Sequence, residues 1–159
     1  LSDKLCLKNV ADILVFDEEG KYVAKIDTET SNVFSKSVLS SQINLYIGNF
    51  VLNKDILKFV SDETTKEYDN DFNEYLHDNN YEEYSVGDKN VKCKLVLETV
   101  YDDMQTGENK AMQIIIPKAE IHTNLLELQM TVEEITSFNN LFTIYKYDEK
   151  HFYKIKIKK

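Results

Sequence analysis

The sequence predicts a mainly β protein: a β-sandwich or partial barrel of about ten strands with one short helix at about residues 53–61. Three observations carry that expectation. Ten Tyr, eight Phe and many Ile and Val favour strands over helices. Several segments alternate apolar and polar residues with a period of two, the mark of a half-buried strand. Only one segment switches to a helical period. With 42% hydrophobic and 30% charged residues over 159 positions, the composition suits a single folded domain spanning 1–159. Gly (4) and Pro (1) are scarce, so the turns must rely on Asn and Asp.

The first element is the hairpin ADILVFDEEGKYVAKIDT, residues 11–28, whose turn Asp17-Glu18-Glu19-Gly20 places a glycine where the loop wants positive φ. Residues 33–47 continue as one strand, with Ile43, Leu45 and Ile47 on one face and Gln42, Asn44 and Tyr46 on the other. In NKDILKFVSD the residues Ile56, Leu57, Phe59 and Val60 gather on one side of a helix, with Asn53 as N-cap and Asp55 at the positive end of its dipole. After an acidic segment, 91–101 and 111–116 form a second hairpin around 102–109 with Gly107 at its tip, and Pro117 ends its second strand because it has no N–H for the ladder. Residues 118–128 and 129–137 make a long strand pair, followed by a turn at Asn139-Asn140. Residues 141–147 and 151–157 close the chain as a third hairpin. In its last strand Phe152, Lys154 and Lys156 alternate with Tyr153, Ile155 and Ile157, so that one face is apolar and the other carries lysine.

Charge is distributed unevenly. The formal net charge is −9, and all nineteen basic residues are Lys. Without Arg there is no planar fork to grip phosphate or guanine at two points, so a conventional nucleic-acid binder is disfavoured by sign and by residue type. Residues 62–83 hold nine acids against Lys66, a net of −8, and are expected to be an exposed loop or insertion anchored by Phe72, Tyr75 and Leu76.

Few motifs carry chemistry. Asp69-Asn70-Asp71-Phe72-Asn73 begins like a calcium loop but has Glu74 at position six and Asn80 at position twelve, where Gly and a bidentate Glu are needed. His77, His122 and His151 are far apart, and Cys6 and Cys93 stand alone, so no zinc set or disulfide framework is expected. Asp102-Asp103 fits turn formation better than a catalytic carboxylate pair. No nucleophile elbow or glycine-rich phosphate loop is present. The expectation is a protein that is not an enzyme, with no cofactor and no metal. No stretch approaches the ~18–20 apolar residues of a membrane span, and the N-terminus lacks a signal-peptide pattern, so the chain reads as soluble and made in a reducing cytoplasm.

The order of elements, an early hairpin ADILVFDEEGKYVAKIDT, one short helix, an insertion and then IIIPKAEIHTNLLELQMTVEEITSFNNLFTIYKYD, resembles the tail tube (major tail) proteins of bacteriophages and related virion structural proteins. In that family the last part commonly has a strand ending near a Pro, then two further strands, matched here by 114–117, 118–128 and 132–144. The acidic segment 62–83 and the Lys-rich end have no counterpart in the family pattern, which leaves open a specialised tail or connector component. The resemblance implies a non-enzymatic homo-oligomer in the virion tail, assembled in the host cytoplasm. Its strands would join those of neighbours into a ring, commonly hexameric, and the rings would stack with other tail proteins into a tube that conducts DNA during ejection. An acidic wall without Arg repels phosphate and lets DNA slide.

Residues 146–159 carry six Lys and two acids, opposite in sign to 62–83. That asymmetry makes Lys154, Lys156 and Lys158 on one side and Asp69, Asp71 and Glu74 on the other the candidate contacts of a head-to-tail interface. Two rival readings stand beside this one. A β-sandwich binding module for carbohydrate or a host receptor would have to stack sugars on Tyr81, Tyr84 or Tyr101, since Trp is absent. An acidic inhibitor that mimics nucleic acid would use 62–83.

Overall fold

Alternation and turn chemistry produce the expected mainly β architecture. A computed structural model describes residues 4–7, 12–27, 32–36, 42–47, 54–63, 69–77, 80–87, 89–122, 129–130, 135–136 and 140–159. In chain order these are β1 (Lys4–Leu7), β2 (Asp12–Phe16), β3 (Tyr22–Asp27), β4 (Asn32–Lys36), β5 (Gln42–Ile47), α1 (Lys54–Val60), β6 (Asp62–Glu63), α2 (Asp71–Tyr75), β7 (Tyr84–Ser85), β8 (Asn90–Asp102), β9 (Asn109–His122), β10 (Gln129–Met130), β11 (Ile135–Thr136), β12 (Asn140–Tyr145) and β13 (Lys154–Ile157). Nine strands make one antiparallel sheet in the order β1-β4-β5-β12-β9-β8-β2-β3, with β13 also paired to β9. Two small ladders, β6–β7 and β10–β11, stand apart from it.

The two local hairpins form as their turns dictate. Between β2 and β3, Asp17 accepts the Lys21 N–H on Oδ1 (2.8 Å) and Gly20 adopts φ 89°. Between β8 and β9, Gly107 adopts φ 72°, and Asp103 Oδ1 accepts from the backbone N–H of Gln105 (2.9 Å) and Thr106 (3.3 Å). Those donors hold the Asp103 carboxyl below its ordinary range, so this pair forms the turn.

One face of the sheet supplies the core. Ile13 and Val15 of β2, Ala24 and Ile26 of β3, Ile43 and Leu45 of β5, Leu95 and Leu97 of β8 and Phe142 and Ile144 of β12 are all buried. Helix α1 adds Ile56 and Val60, an i, i+4 pair, and packs beside β3 and β8. Its expected cap, Asn53, lies outside the described residues, as does the side chain of Ile47.

Several expectations are corrected. Residues 33–47 form two strands, β4 and β5, which pair antiparallel with Val33 opposite Tyr46 and Lys36 opposite Ile43. Pro117 does not end its strand: β9 runs through it for 14 residues. Of the long pair expected at 118–128 and 129–137, residues 118–122 belong to the end of β9 and Gln129–Met130 pairs with Ile135–Thr136, so 129–137 is not one strand; 123–128, 131–134, 137 and Asn139 lie outside the described residues. The closing hairpin is not one either, because β12 and β13 do not pair with each other. Both lie along β9, β12 opposite 119–122 and β13 opposite 112–115, so the nine residues 145–153 span a stretch where β9 has three, 116–118. Alternation tells which residues share a face and nothing about which strand comes alongside, so partner choice was not determined locally.

The described parts of the acidic segment, 62–63, 69–77 and 80–83, are mostly exposed, as expected, and include a strand and a short helix. The ladder β6–β7 closes its base, with Asp62 opposite Ser85 and Glu63 opposite Tyr84. Ion pairs Lys89–Asp62 (3.0 Å) and Lys54–Glu82 (2.7 Å) tie that base to the domain, and the Tyr84 hydroxyl donates to Glu82 Oε2 (2.6 Å). Within it, Asn70 Oδ1 caps α2 by accepting the Asn73 N–H (2.8 Å). Phe72, Tyr75 and Leu76 do not anchor it: they are 72%, 87% and 48% exposed.

Candidate functional site

The site begins with a parity change in β9. Ile114 and Ile116 are buried, and so are Ala119 and Ile121, so the inward positions pass from even to odd. On β8 the inward residues Cys93, Leu95, Leu97 and Thr99 keep one parity. The pairing accounts for the difference: Cys93 faces Ala119 and Leu95 faces Ile116, leaving Pro117 and Lys118 together opposite Lys94. This is a β-bulge, the place in a sheet interior where a residue without an N–H is tolerated. It turns two consecutive side chains, Pro117 and Lys118, to the outer face beside Lys94.

The looped-out 145–153 lies against the same point of β9 and raises a wall there. Between bulge and wall is a cleft of about 560 Å³ lined by Glu18, Lys92, Lys94, Pro117, Lys118, Glu120, Tyr145 and Tyr147, together with Cys93 and Ala119. Lys94 Nζ donates to the Pro117 carbonyl (3.2 Å), and Lys92 Nζ lies 3.9 Å from Glu18 Oε1. The Tyr145 hydroxyl donates to Glu120 Oε2 (3.0 Å), and burial followed by that carboxylate raises its pKa. Tyr147 stacks on His151 with 6.0 Å between ring centroids, and Lys154 Nζ is 5.3 Å from the centre of the Tyr147 ring. His151 is fixed by Asp148 (Nδ1 to Oδ2, 2.7 Å). At the other end of this face His122 bridges Asn90 Oδ1 (2.6 Å) and Thr143 Oγ1.

Chemically the cleft offers three ammonium groups, two carboxylates and two phenol rings. That set suits recognition of an acidic and aromatic surface. The Cys93 thiol is pushed up to about 12 by burial and then by Glu120, which keeps it protonated and unreactive. Among the described residues no group of three or more His, Cys, Asp and Glu is placed to hold a metal ion.

The candidate contact residues fall on two separate elements. Lys154 and Lys156 lie opposite Ile115 and Gln113 on β13, and the Lys158 N–H donates to the Ala111 carbonyl (2.9 Å). Lys154 reaches the cleft wall through Tyr147. Asp69, Asp71 and Glu74 are exposed around α2, with Asp69 Oδ1 accepting from Asn73 Nδ2 (2.8 Å). Among the described residues no hydrogen bond or ion pair joins the two sets. The apolar face of β13 is not packed away: Ile155 and Ile157 remain 50% and 45% exposed. Tyr81, Tyr84 and Tyr101 line no part of the cleft.

Sequence reasoning missed Lys92, Lys94, Lys118, Tyr145 and Tyr147. The signal for them is the run IIIPKAEI, where the apolar positions change parity across Pro117 and Lys118. Among the described residues no helix is long and apolar enough to cross a membrane. Compared with protein-family models, with curated proteins and with solved structures, the chain matches none.

Proposed function

We propose that this chain is a non-enzymatic virion structural protein, a tail-tube-type subunit that joins copies of itself into rings, hexameric in the family it resembles, which stack into a DNA-conducting tube. It takes its place in the virion tail after assembly in the host cytoplasm. The observation that carries this reading is the open sheet. Among the described strands, β1 pairs only with β4 at one end and β3 only with β2 at the other. Unpaired edges at both ends of one sheet suit head-to-tail strand addition, and a heterologous contact of that kind closes into a ring when its rotation permits. The net charge of −9 without any Arg suits a wall that DNA passes without sticking.

Size-exclusion chromatography with negative-stain electron microscopy tests it. Rings or tubes formed by the purified chain support the proposal. A monomer at every concentration refutes it and favours a binding module, and a complex formed only with a basic partner favours the nucleic-acid mimic.

A further inference from the structure

We infer that the lysine- and tyrosine-lined cleft at the β9 bulge receives the acidic helix α2 of a second copy of this chain, an inference that rests on the assembly proposed above and adds a second contact to its strand-edge pairing.

The two surfaces complement each other in charge and in polarity. Phe72, Tyr75 and Leu76 follow i, i+3, i+4 spacing and so share one side of α2 and the turn after it. In the monomer that stripe faces solvent, with Phe72 72% and Tyr75 87% exposed. A stripe of this kind is stabilised when another surface covers it. Acidic Asp71 and Glu74 interleave with the stripe inside a segment of net −8. The cleft presents Lys92, Lys94 and Lys118 for the carboxylates, in excess over its own Glu18 and Glu120, and Pro117, Tyr145 and Tyr147 for the rings. Lys154, at the Tyr147 wall, extends the basic surface toward β13.

The arrangement also accounts for the exposed α2, which buries nothing within the monomer, and gives the outward side of the bulge a use beyond keeping Ala119 and Ile121 in the core. α2 has no buried residue, yet it is capped and its base is tied down by Lys54–Glu82 and Lys89–Asp62. A helix that is already capped is suited to docking, because less ordering of its own turns remains when it binds. The bulge turns Lys118 outward beside Lys94, where regular alternation would have placed only one of the two consecutive β9 residues on that face.

The test is a charge swap in the full chain, read by sedimentation velocity across a concentration series. Reversing Lys92→Glu with Lys118→Glu, or Asp71→Lys with Glu74→Lys, is expected to raise the assembly threshold by about tenfold or more. Combining all four is expected to return it to within about threefold of the parent. If either reversal leaves the threshold and its salt dependence unchanged while the parent assembles, the inference is wrong and the assembly reading stands. Weakening without recovery in the combined variant also overturns it. A parent that never assembles removes the assembly reading itself. A photo-crosslinker at Tyr75 gives a second readout that leaves the lysines in place: intermolecular links to 92–94, 117–120 or 145–147 support the contact, and links confined to other segments or none from assembled protein refute it.

Discussion

Lys94 Nζ donates to the carbonyl oxygen of Pro117 at 3.2 Å, from one strand across the bulge to the residue that opens it on the next. The bond ties the outer side of β8 to the point where β9 gains its extra residue. Everything after that point on β9 depends on the insertion, since Ala119 and Ile121 face the core only because Pro117 and Lys118 together occupy one position of the ladder.

Deleting Lys118 should therefore do far more damage than removing the lysine that holds the bulge. Without the extra residue, either Ala119 and Ile121 turn outward and Glu120 and His122 inward, or the pairing with β12 slips. The expected outcome is loss of the cooperative urea transition. Lys94→Met keeps the parity and loses one half-exposed hydrogen bond, at a cost of about 1 kcal/mol. Equal effects of the two changes would contradict this account of the bulge.

Two aromatic residues of similar size should behave in opposite ways. Phe142 is fully buried where β12 crosses the core, so Phe142→Ala is expected to cost about 3–5 kcal/mol in the monomer. Phe72 is 72% exposed on α2, and Phe72→Ala should leave monomer stability within about 0.5 kcal/mol. Urea titrations under dissociating conditions compare them; a large loss at Phe72 would restore it as an anchor of its own domain.

The parts of the fold that were legible in the sequence are those written in adjacent residues. Asp17 to Gly20 and Gly107 mark turns that form with little regard to the rest of the chain, and Ile56 with Val60 makes a helical face over a single turn. The break between β4 and β5 had a weaker signal in Ser37, Ser40 and Ser41, which the alternation over 33–47 concealed. In the acidic segment, nine acids argued for an exposed loop and drew attention from Asn70, whose side chain caps α2. The site was hidden for a different reason. Its lysines and tyrosines come from β8, β9 and 145–147, and they meet because β13 returns to β9, a long-range choice that spacing along the chain does not encode.

The wall of the cleft should respond to acid. Asp148 accepts from the backbone N–H of Lys150 (2.8 Å) and His151 (2.7 Å) and from the His151 ring, and these donors hold its carboxyl at about 2, below the ordinary 3.8. A lowered pKa means that the stabilisation is complete above the ordinary value and is lost as pH falls through the folded one. The turn 148–151, and the stacking of His151 on Tyr147, should thus persist at pH 4 and open toward pH 2. Chemical shifts of the His151 ring and the Lys150 amide report it, and Asp148→Ala, which removes the acceptor, should show the open spectrum at neutral pH. A midpoint near the ordinary carboxylate value in the parent would contradict the geometry.

Among the described residues, Cys93 should give a pH effect at the alkaline end. Its side chain is buried between Val91 and Leu95 on the inward parity of β8, and burial, then Glu120, raises the thiol to about 12 from an ordinary 9. For an acid whose folded pKa is raised, the contribution to stability is complete below the unfolded value and disappears as pH climbs through the folded one, because above 9 the unfolded chain sheds a proton that the folded chain keeps. A difference of this size corresponds to something on the order of 4 kcal/mol across the window. Tyrosines and lysines titrate in the same range, so the quantity to measure is the difference between the chain and its Cys93→Ala variant, both carrying Cys6→Ser so that a single thiol is observed. The parent's advantage over Cys93→Ala should shrink steadily in urea titrations from pH 9 upward. In the same background, iodoacetamide at pH 8 should modify Cys93 only at urea concentrations that unfold the chain. Rapid alkylation under native conditions would mean that the inner face of β8 opens readily, and the packing of Cys93 in the core would have to be abandoned.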